Sequence, residues 1–249
     1  MIPAKEIRDN FSQVASCYER YADIQGKLAQ ELLKELVGQK RIYESILDIG
    51  CGSGWLLQQL KRYFQNSKIF GLDISFEMVK ETKRKTLNAI VADALSLPFR
   101  DGSFNLVVSN AVYQWVPDLD TAFKEAARIL HKEGYFVFNC FGAETLEELR
   151  NCFNIEENYL PEEKLIRECL EKAHFTNVDI TKSVRKKYFD NLVDILSWLK
   201  YIGANRINAY QVLLTPKRLA EANYAYSCNY RSNGKVYASF EVIQVKAKK

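Results

Sequence analysis

Ile46-Leu47-Asp48-Ile49-Gly50-Cys51-Gly52-Ser53-Gly54 is the stretch around which the chain is organised. Four residues of strand character run into three alternating glycines, and the amphipathic segment Trp55–Tyr63 follows. A strand, a tight turn and a helix start in that order let backbone approach a ligand closely, because no Cβ stands in the way. The spacing is G-x-G-x-G behind the acid Asp48. It lacks the last glycine of the dinucleotide pattern G-x-G-x-x-G, which packs helix against strand. A glycine-rich turn without a ligand is the bland alternative for these nine residues taken alone.

Working outward, Phe11–Gly38 reads as one helix. Val14, Tyr18, Tyr21, Ile24, Leu28, Leu32 and Leu36 recur at three- and four-residue spacings. Beyond the turn, Lys68–Asp73 reads as a second strand ending in an acid, and Ala89–Asp93 as a third. Phe104–Ser109 is an apolar strand of the kind buried on both faces, ending at Asn110. A helix over Asp120–Leu130 and a fifth strand over Gly134–Cys140 follow. Strands alternating with helices make a parallel doubly wound sheet, whose ligands lie beyond the strand C-terminal ends. Gly50–Gly54, Asp73, Asp93 and Asn110 all fall at such ends. An acid after strand two can accept hydrogen bonds from both hydroxyls of a ribose, which fits an adenosine cofactor and equally a nicotinamide one.

With 249 residues the chain is one large domain, or a domain with a lid. No run approaches the ~18 apolar residues of a membrane span. Met1–Asn10 carries no apolar export signal, so a cytoplasmic location is expected. The six cysteines are scattered without a C-x-x-C pair, and there are only two histidines. That leaves little material for a metal site and points to reduced thiols. The net charge of +4 is uneven: residues 181–249 hold 13 Lys/Arg against 4 Asp/Glu, a local +9, whereas residues 41–180 balance at −5. Such a basic segment can meet nucleic acid, an anionic membrane or an acidic protein, or it can be plain solvated surface.

Ile46–Gly54, Gly71–Ser75, Val91–Phe99, Phe104–Asp118 and the helix and strand to Cys140 resemble the motifs of the class I S-adenosylmethionine (SAM) methyltransferases in order and spacing. The flanks sharpen the likeness. Asn10–Tyr18 with Tyr21–Gln25, Phe141–Arg150 and Leu199–Asn205 look like the corresponding segments of the malonyl-acyl-carrier-protein O-methyltransferases of biotin synthesis. The resemblance implies an α/β fold: a doubly wound, seven-stranded, mostly parallel sheet with an N-terminal helix and a helical insertion before the last strand. The implied organisation is a cap over residues 1–40, a cofactor-binding core over 41–185, an insertion or lid over 186–234 and the last strand over 235–249. It also implies cofactor contacts from Asp48, Gly50, Gly52 and Gly54, from Asp73 and Ile74 at the ribose, and from Asp93 and Ala94 at the adenine. Asn110 falls at the methionine and methyl end, and Gln25 is a further implied cofactor contact.

No acid or base of the family stands beside Asn110, which points to a nucleophile that arrives already ionised. Methyl transfer to a carboxylate needs none, only exclusion of water and a fixed line of attack. Tyr18 is the expected modest hydrogen-bond donor, Tyr21 being the alternative. Arg206 and Arg185 are the candidates for holding the non-attacking oxygen, and the choice between them is open. A monomer is expected whose partner is an acidic acyl carrier protein, with no nucleic acid and no membrane. Lys182, Arg185, Lys186, Lys187, Arg206, Lys217 and Arg218 would steer that carrier. The other readings are methylation of a free small acid or metabolite, a catalytically silent SAM-binding partner protein, and a nicotinamide oxidoreductase, which the missing glycine disfavours. Nucleic-acid methylation is disfavoured because Asn110-Ala-Val-Tyr113 is not an Asn/Asp-Pro-Pro-aromatic motif.

Overall fold

The parallel strands of the sequence reading pair as expected in the computed structural model, which describes residues 3–85, 87–155, 159–204 and 215–249. Strands β1 (Ser45–Ile49), β2 (Lys68–Asp73), β3 (Ala89–Val91), β4 (Phe104–Asn110) and β5 (Leu130–Phe141) are mutually parallel. β6 (Thr176–Phe189) and β8 (Lys235–Lys248) run antiparallel to each other, β8 also running antiparallel to β5, and the two-residue β7 (Arg231–Ser232) pairs with β8. The order is β3-β2-β1-β4-β5-β8-β6. The expected seven strands are all there, and the short β7 makes an eighth.

The apolar runs explain the burial. Ile46, Leu47, Leu106, Val107 and Val108 are fully buried because helices cover both faces of the central strands. On one face α3 (Asp23–Gly38) and α4 (Trp55–Tyr63) enclose Leu36, Leu57, Leu60 and Val137. On the other, α6 (Leu119–Ile129) and α8 (Glu163–Lys172) pack Phe123 and Ile166 against Phe136 and Phe138. The strand order reverses between β1 and β4, and a crevice opens there at the strand C-terminal ends.

The N-terminal region differs from the single helix that its periodicity suggests. It forms α1 (Ala4–Val14), a four-residue α2 (Tyr18–Tyr21) and α3. The chain bends at Ala22, φ −81° and ψ 46°. Tertiary contacts account for the breaks. Ser12 Oγ on α1 lies 2.9 Å from Ser75 Oγ, which caps α5 (Phe76–Arg84). Phe11 meets Tyr18 and Trp115 edge-on, and the Tyr21 carbonyl accepts a hydrogen bond from Trp198 Nε1 at 2.8 Å. A continuous helix cannot satisfy contacts on both sides of the crevice.

Strand β6 runs through residues 185 and 186, where the core was expected to give way to the insertion, and the insertion's helices α9 (Leu192–Tyr201) and α10 (Pro216–Asn229) begin beyond it. Between β5 and β6 the chain also forms α7 (Glu147–Phe153), ahead of α8. Among the described residues no helix is long and apolar enough to cross a membrane.

Candidate active site

The glycine turn is clamped to β2 by backbone. The N–H groups of Gly50 and Cys51 donate to the Leu72 carbonyl at 2.8 and 2.9 Å. Gly50 has φ +70°, and a Cβ there would stand 2.2 Å from Val112 Cγ2, so this position admits glycine alone. Gly52 has φ +54° and open space where its Cβ would be, so its backbone faces the crevice bare. Its N–H donates to Asp73 Oδ2 at 3.0 Å, and its carbonyl accepts from Thr82 Oγ1 at 2.7 Å. Gly54 serves packing: it caps α4 against Thr82 and does not line the crevice.

Three acids sit at consecutive strand ends. Asp73 is buried, and its other oxygen accepts from Ser75 N at 2.8 Å. Burial raises its pKa from the ordinary 3.8 to about 6, against the lowering pull of backbone N–H groups of Ser75, Gly52 and Ile74. Asp48 is buried with neither carboxyl oxygen hydrogen-bonded, and burial, then the Asp73 charge, pushes its pKa well above the carboxylate range. Asp93 spends Oδ1 on the Leu95 N–H at 2.9 Å in a local turn. A buried acid with two free oxygens is costly unless a cation or donor group comes to it.

Three cavities share Tyr18 in their lining. One of about 100 Å³ lies between Asp73, Ile74, Asp93 and Ala94 on the sheet side and Ile7 and Phe11 of α1 above. A second, of about 390 Å³, is bounded by Gln25, Asp48, Gly50, Gly52, Ser53 and Asn110. Glu19 closes its rim, accepting from Ser53 Oγ at 2.7 Å and pairing with Lys85. The third, about 30 Å³, is walled by Phe11, Trp115, Phe141, Leu199, Ile202 and Phe240, with the polar groups of Gln25, Gln114, Thr145 and Tyr18 among its other lining. Burial, with the Asp73 charge second, holds the Tyr18 hydroxyl above its ordinary pKa, so it is a hydrogen-bond donor throughout the working pH range. Gln25 Oε1 is buried without a partner.

The structure thus brings together Tyr18, Gln25, Asp48, Gly50, Gly52, Asp73, Ile74, Asp93, Ala94 and Asn110. Arg185 is elsewhere. It is an exposed β6 side chain paired with Glu31 at 3.1 Å, because strand alternation turns it toward α3 and away from the crevice. Arg206 lies outside the described residues. Sequence reasoning expected a cap over residues 1–40 but not a separate α1 above the crevice, and it did not single out Gln114 or Asn139 as site residues. The signal for Asn139 was there: an amide in the otherwise apolar run Phe136-Val-Phe-Asn-Cys140 demands a buried partner.

A family model described as a methyltransferase domain matches residues 47–138. The chain is 30% identical over 213 residues to the malonyl-acyl-carrier-protein O-methyltransferase of Legionella pneumophila, covering 82% of this chain and 75% of that protein. It is also 30% identical over 220 residues to the protein of the same name from Geobacter sulfurreducens, covering 82% of each. Among solved structures it resembles the YcgJ protein of Bacillus subtilis, with a TM-score of 0.64 and 20% identity over 88% of this chain and 98% of that one. It also resembles a Haemonchus contortus phosphoethanolamine N-methyltransferase in complex with SAM, with a TM-score of 0.58 and 18% identity over 89% of this chain and 52% of that one.

The crevice fits SAM on its own chemistry. Asp48 offers two unpartnered oxygens to positive charge, Gly52 leaves its backbone bare, and Ile74 and Ala94 form an apolar slot beside Asp73. The turn also lacks the last glycine of the dinucleotide pattern, the one that packs helix against strand, since Trp55 (counted from Gly50) or Leu57 (counted from Gly52) stands at that position.

Proposed function

Because this chain belongs to the class I SAM-dependent methyltransferases, we propose that its acceptor is a carboxylate, the free carboxyl of a malonyl group on an acyl carrier protein, and that the product is the methyl ester. The observation that carries this reading is the acceptor pocket itself. Its described lining holds no carboxylate, histidine, lysine or arginine, and its only hydroxyls are those of Tyr18 and Thr145. A pocket without a general base suits a nucleophile that arrives ionised, and a carboxylate does. The names of the relatives point to the same acceptor.

SAM supplies a methyl group made electrophilic by its sulfonium. The chain's own residues hold and shield the reactants. Asp73 accepts from the ribose hydroxyls, with Ile74 beside it, and Asp93 and the Ala94 backbone meet the adenine. Asp48 balances the positive charge of the methionine end, where Gly50, Gly52, Asn110 and Gln25 complete the wall. Tyr18, which lines all three cavities, donates to the non-attacking oxygen of the acceptor. A neutral donor orients a carboxylate without quenching it as a guanidinium would. α1 roofs the crevice with Ile7 and Phe11 and keeps water out, so the charge-dispersing step is not slowed by solvation of its ions. The acceptor pocket is small, about 30 Å³, with Leu199 of α9 and Ile202 just beyond it on one wall. Residues 1–40 act as the cofactor-side cap and the insertion as the acceptor-side lid.

The acidic carrier docks on the basic C-terminal part. Lys182, Arg185 and Lys187 are already paired with Glu163 and Glu241, Glu31 and Asp23. Lys186, Lys217 and Arg218 have no acidic partner within ion-pair distance among the described residues, which leaves their charge for the carrier. Side-by-side assays with malonyl-carrier, a short malonyl thioester and free dicarboxylic acids test the reading. Turnover confined to free acids would replace it with a small-molecule methyltransferase. SAM binding without turnover on any of them would make the protein a silent binder.

A further inference from the structure

We propose that Asn139 and Gln114 are positioning residues: they hold the Asn110–Ala111 turn as the partition between cofactor and acceptor. Ala111 adopts φ +57°, the left-handed region that a residue with a Cβ avoids. It lines both the adenosine-side cavity and the acceptor pocket, and Asn110 lines the adenosine-side and methionine-side cavities. One strained peptide therefore borders all three spaces. A non-glycine left-handed residue persists where its surroundings over-determine it, and such residues cluster at functional sites.

The surroundings here are side chains. The Ala111 N–H donates both to the Asn139 carbonyl at 2.9 Å and to Asn139 Oδ1 at 3.0 Å. Gln114 Nε2 donates to the Ala111 carbonyl at 2.8 Å, and Gln114 Oε1 accepts from Phe141 N at 3.4 Å. Asn139, directly opposite Asn110 in the β4–β5 ladder, donates through Nδ2 to Asn110 Oδ1 at 3.0 Å. Asn110 Nδ2 in turn donates to the Gln25 carbonyl of α3 at 3.1 Å. Asn110 is thus locked in one amide orientation, with one N–H and one lone pair left over. Both clamping amides are buried, and neither would be tolerated in such surroundings unless bonded. Packing alone would be served by an apolar residue at 139 and glycine at 111. The clamp instead fixes where the partition stands, and with it the line between methyl donor and acceptor.

The partition follows from the methyltransferase fold, but its turnover test relies on the carboxyl-acceptor reading. Asn139→Asp is nearly isosteric and still accepts from the Ala111 N–H, yet as a carboxylate it cannot donate to Asn110. Misplacement of a reacting group by about 1 Å costs on the order of 100-fold, so kcat on a malonyl thioester should fall about 10- to 100-fold. The Kd for demethylated cofactor should stay within about threefold, and activity relative to the unaltered protein should recover as falling pH protonates the new carboxyl. Gln114→Leu should cost a similar factor, partly restored by adding Ala111→Gly, because glycine takes the left-handed conformation without strain. A kcat within about threefold of the unaltered protein for Asn139→Asp, or a Gln114→Leu loss that glycine at 111 leaves untouched, would overturn the proposal. If the unaltered protein methylates no malonyl thioester, the carboxyl-acceptor reading fails by itself. NMR of the cofactor-free protein then decides: the Ala111 amide and Asn110 side-chain signals must move in Asn139→Asp, and unmoved signals refute the clamp.

Discussion

Asp73→Asn should separate what the crevice does for the fold from what it does for the cofactor. In the free protein the buried Asp73 carboxyl holds its proton up to about pH 6, against the ordinary 3.8. The folded state therefore binds more protons than the unfolded chain between those values. The resulting contribution to stability is complete below about pH 4 and is lost as pH rises through 6. Above that, the ionised carboxyl destabilises the cofactor-free fold by about 3 kcal/mol. Asparagine removes this charge, but its NH2 group must face one of the two N–H donors, Gly52 or Ser75, that the carboxylate accepted. Such a mismatch costs about 1–3 kcal/mol. At pH 8 the two effects offset, so the variant's Tm should lie near or above that of the unaltered protein. At pH 4 only the mismatch remains, and Tm should fall by roughly 3–10 °C. Cofactor binding moves the other way, since a hydrogen bond to a charged acceptor is worth about 1.5–3 kcal/mol, and affinity for SAM should drop about 10- to 150-fold. Differential scanning calorimetry at both pH values, with titration of SAM at pH 8, measures all three. Equal destabilisation at pH 4 and pH 8 together with unchanged SAM affinity would refute the reasoning.

Tyr18→Phe should lower kcat about 10- to 100-fold by removing one donor to the acceptor, while the Kd of SAM measured by calorimetry stays within about threefold. Gly50→Ala places its Cβ 2.2 Å from Val112 Cγ2, so it should destabilise by roughly 3 kcal/mol or more. Gly52→Ala meets no atom within 4 Å and should cost only the ~1–2 kcal/mol of its left-handed backbone while weakening SAM binding; chemical denaturation of the two variants compares them. Lys217→Glu with Arg218→Glu should raise KM for malonyl-carrier by about tenfold at low salt, less at high salt, and leave a short malonyl thioester unaffected. Arg185→Ala, which breaks only an exposed pair with Glu31, should change turnover by less than about twofold in the same assay.

Strands β1, β2 and β4 were legible because a doubly covered parallel strand leaves its own signature, an apolar run that stops at a polar residue or a glycine, whereas the short edge strand β3 was read from its place in the alternation. The crevice's polar residues were legible for the same reason: Asp73, Asp93 and Asn110 mark where those runs stop. The N-terminal region was not. Its three- and four-residue spacing is helical throughout, and only contacts with Ser75, Trp115 and Trp198, far away in sequence, bend it at Val14 and Ala22. The last strand was expected over 235–249 and forms β8, but its edge partner β6 hid because it is mostly polar and solvent-facing, so Arg185 carried no sign of which face it would take. Asn139 and Gln114 show the reverse case. Their residue types signalled buried amides, but the partners Ala111 and Asn110 are fixed by tertiary register, which local pattern does not encode.

The most direct measurement is intact-protein mass analysis of malonyl-carrier incubated with the enzyme and SAM, followed by release of the acyl group at its thioester and mass analysis of both parts. A methyl ester adds one methylene unit to the carrier, the unit leaves with the released acyl group, and Asp73→Ala abolishes it. A carrier of unchanged mass in the presence of an enzyme that binds SAM, or a gain that stays on the polypeptide when the acyl group is released, would contradict methyl transfer to an ionised carboxyl at these strand ends.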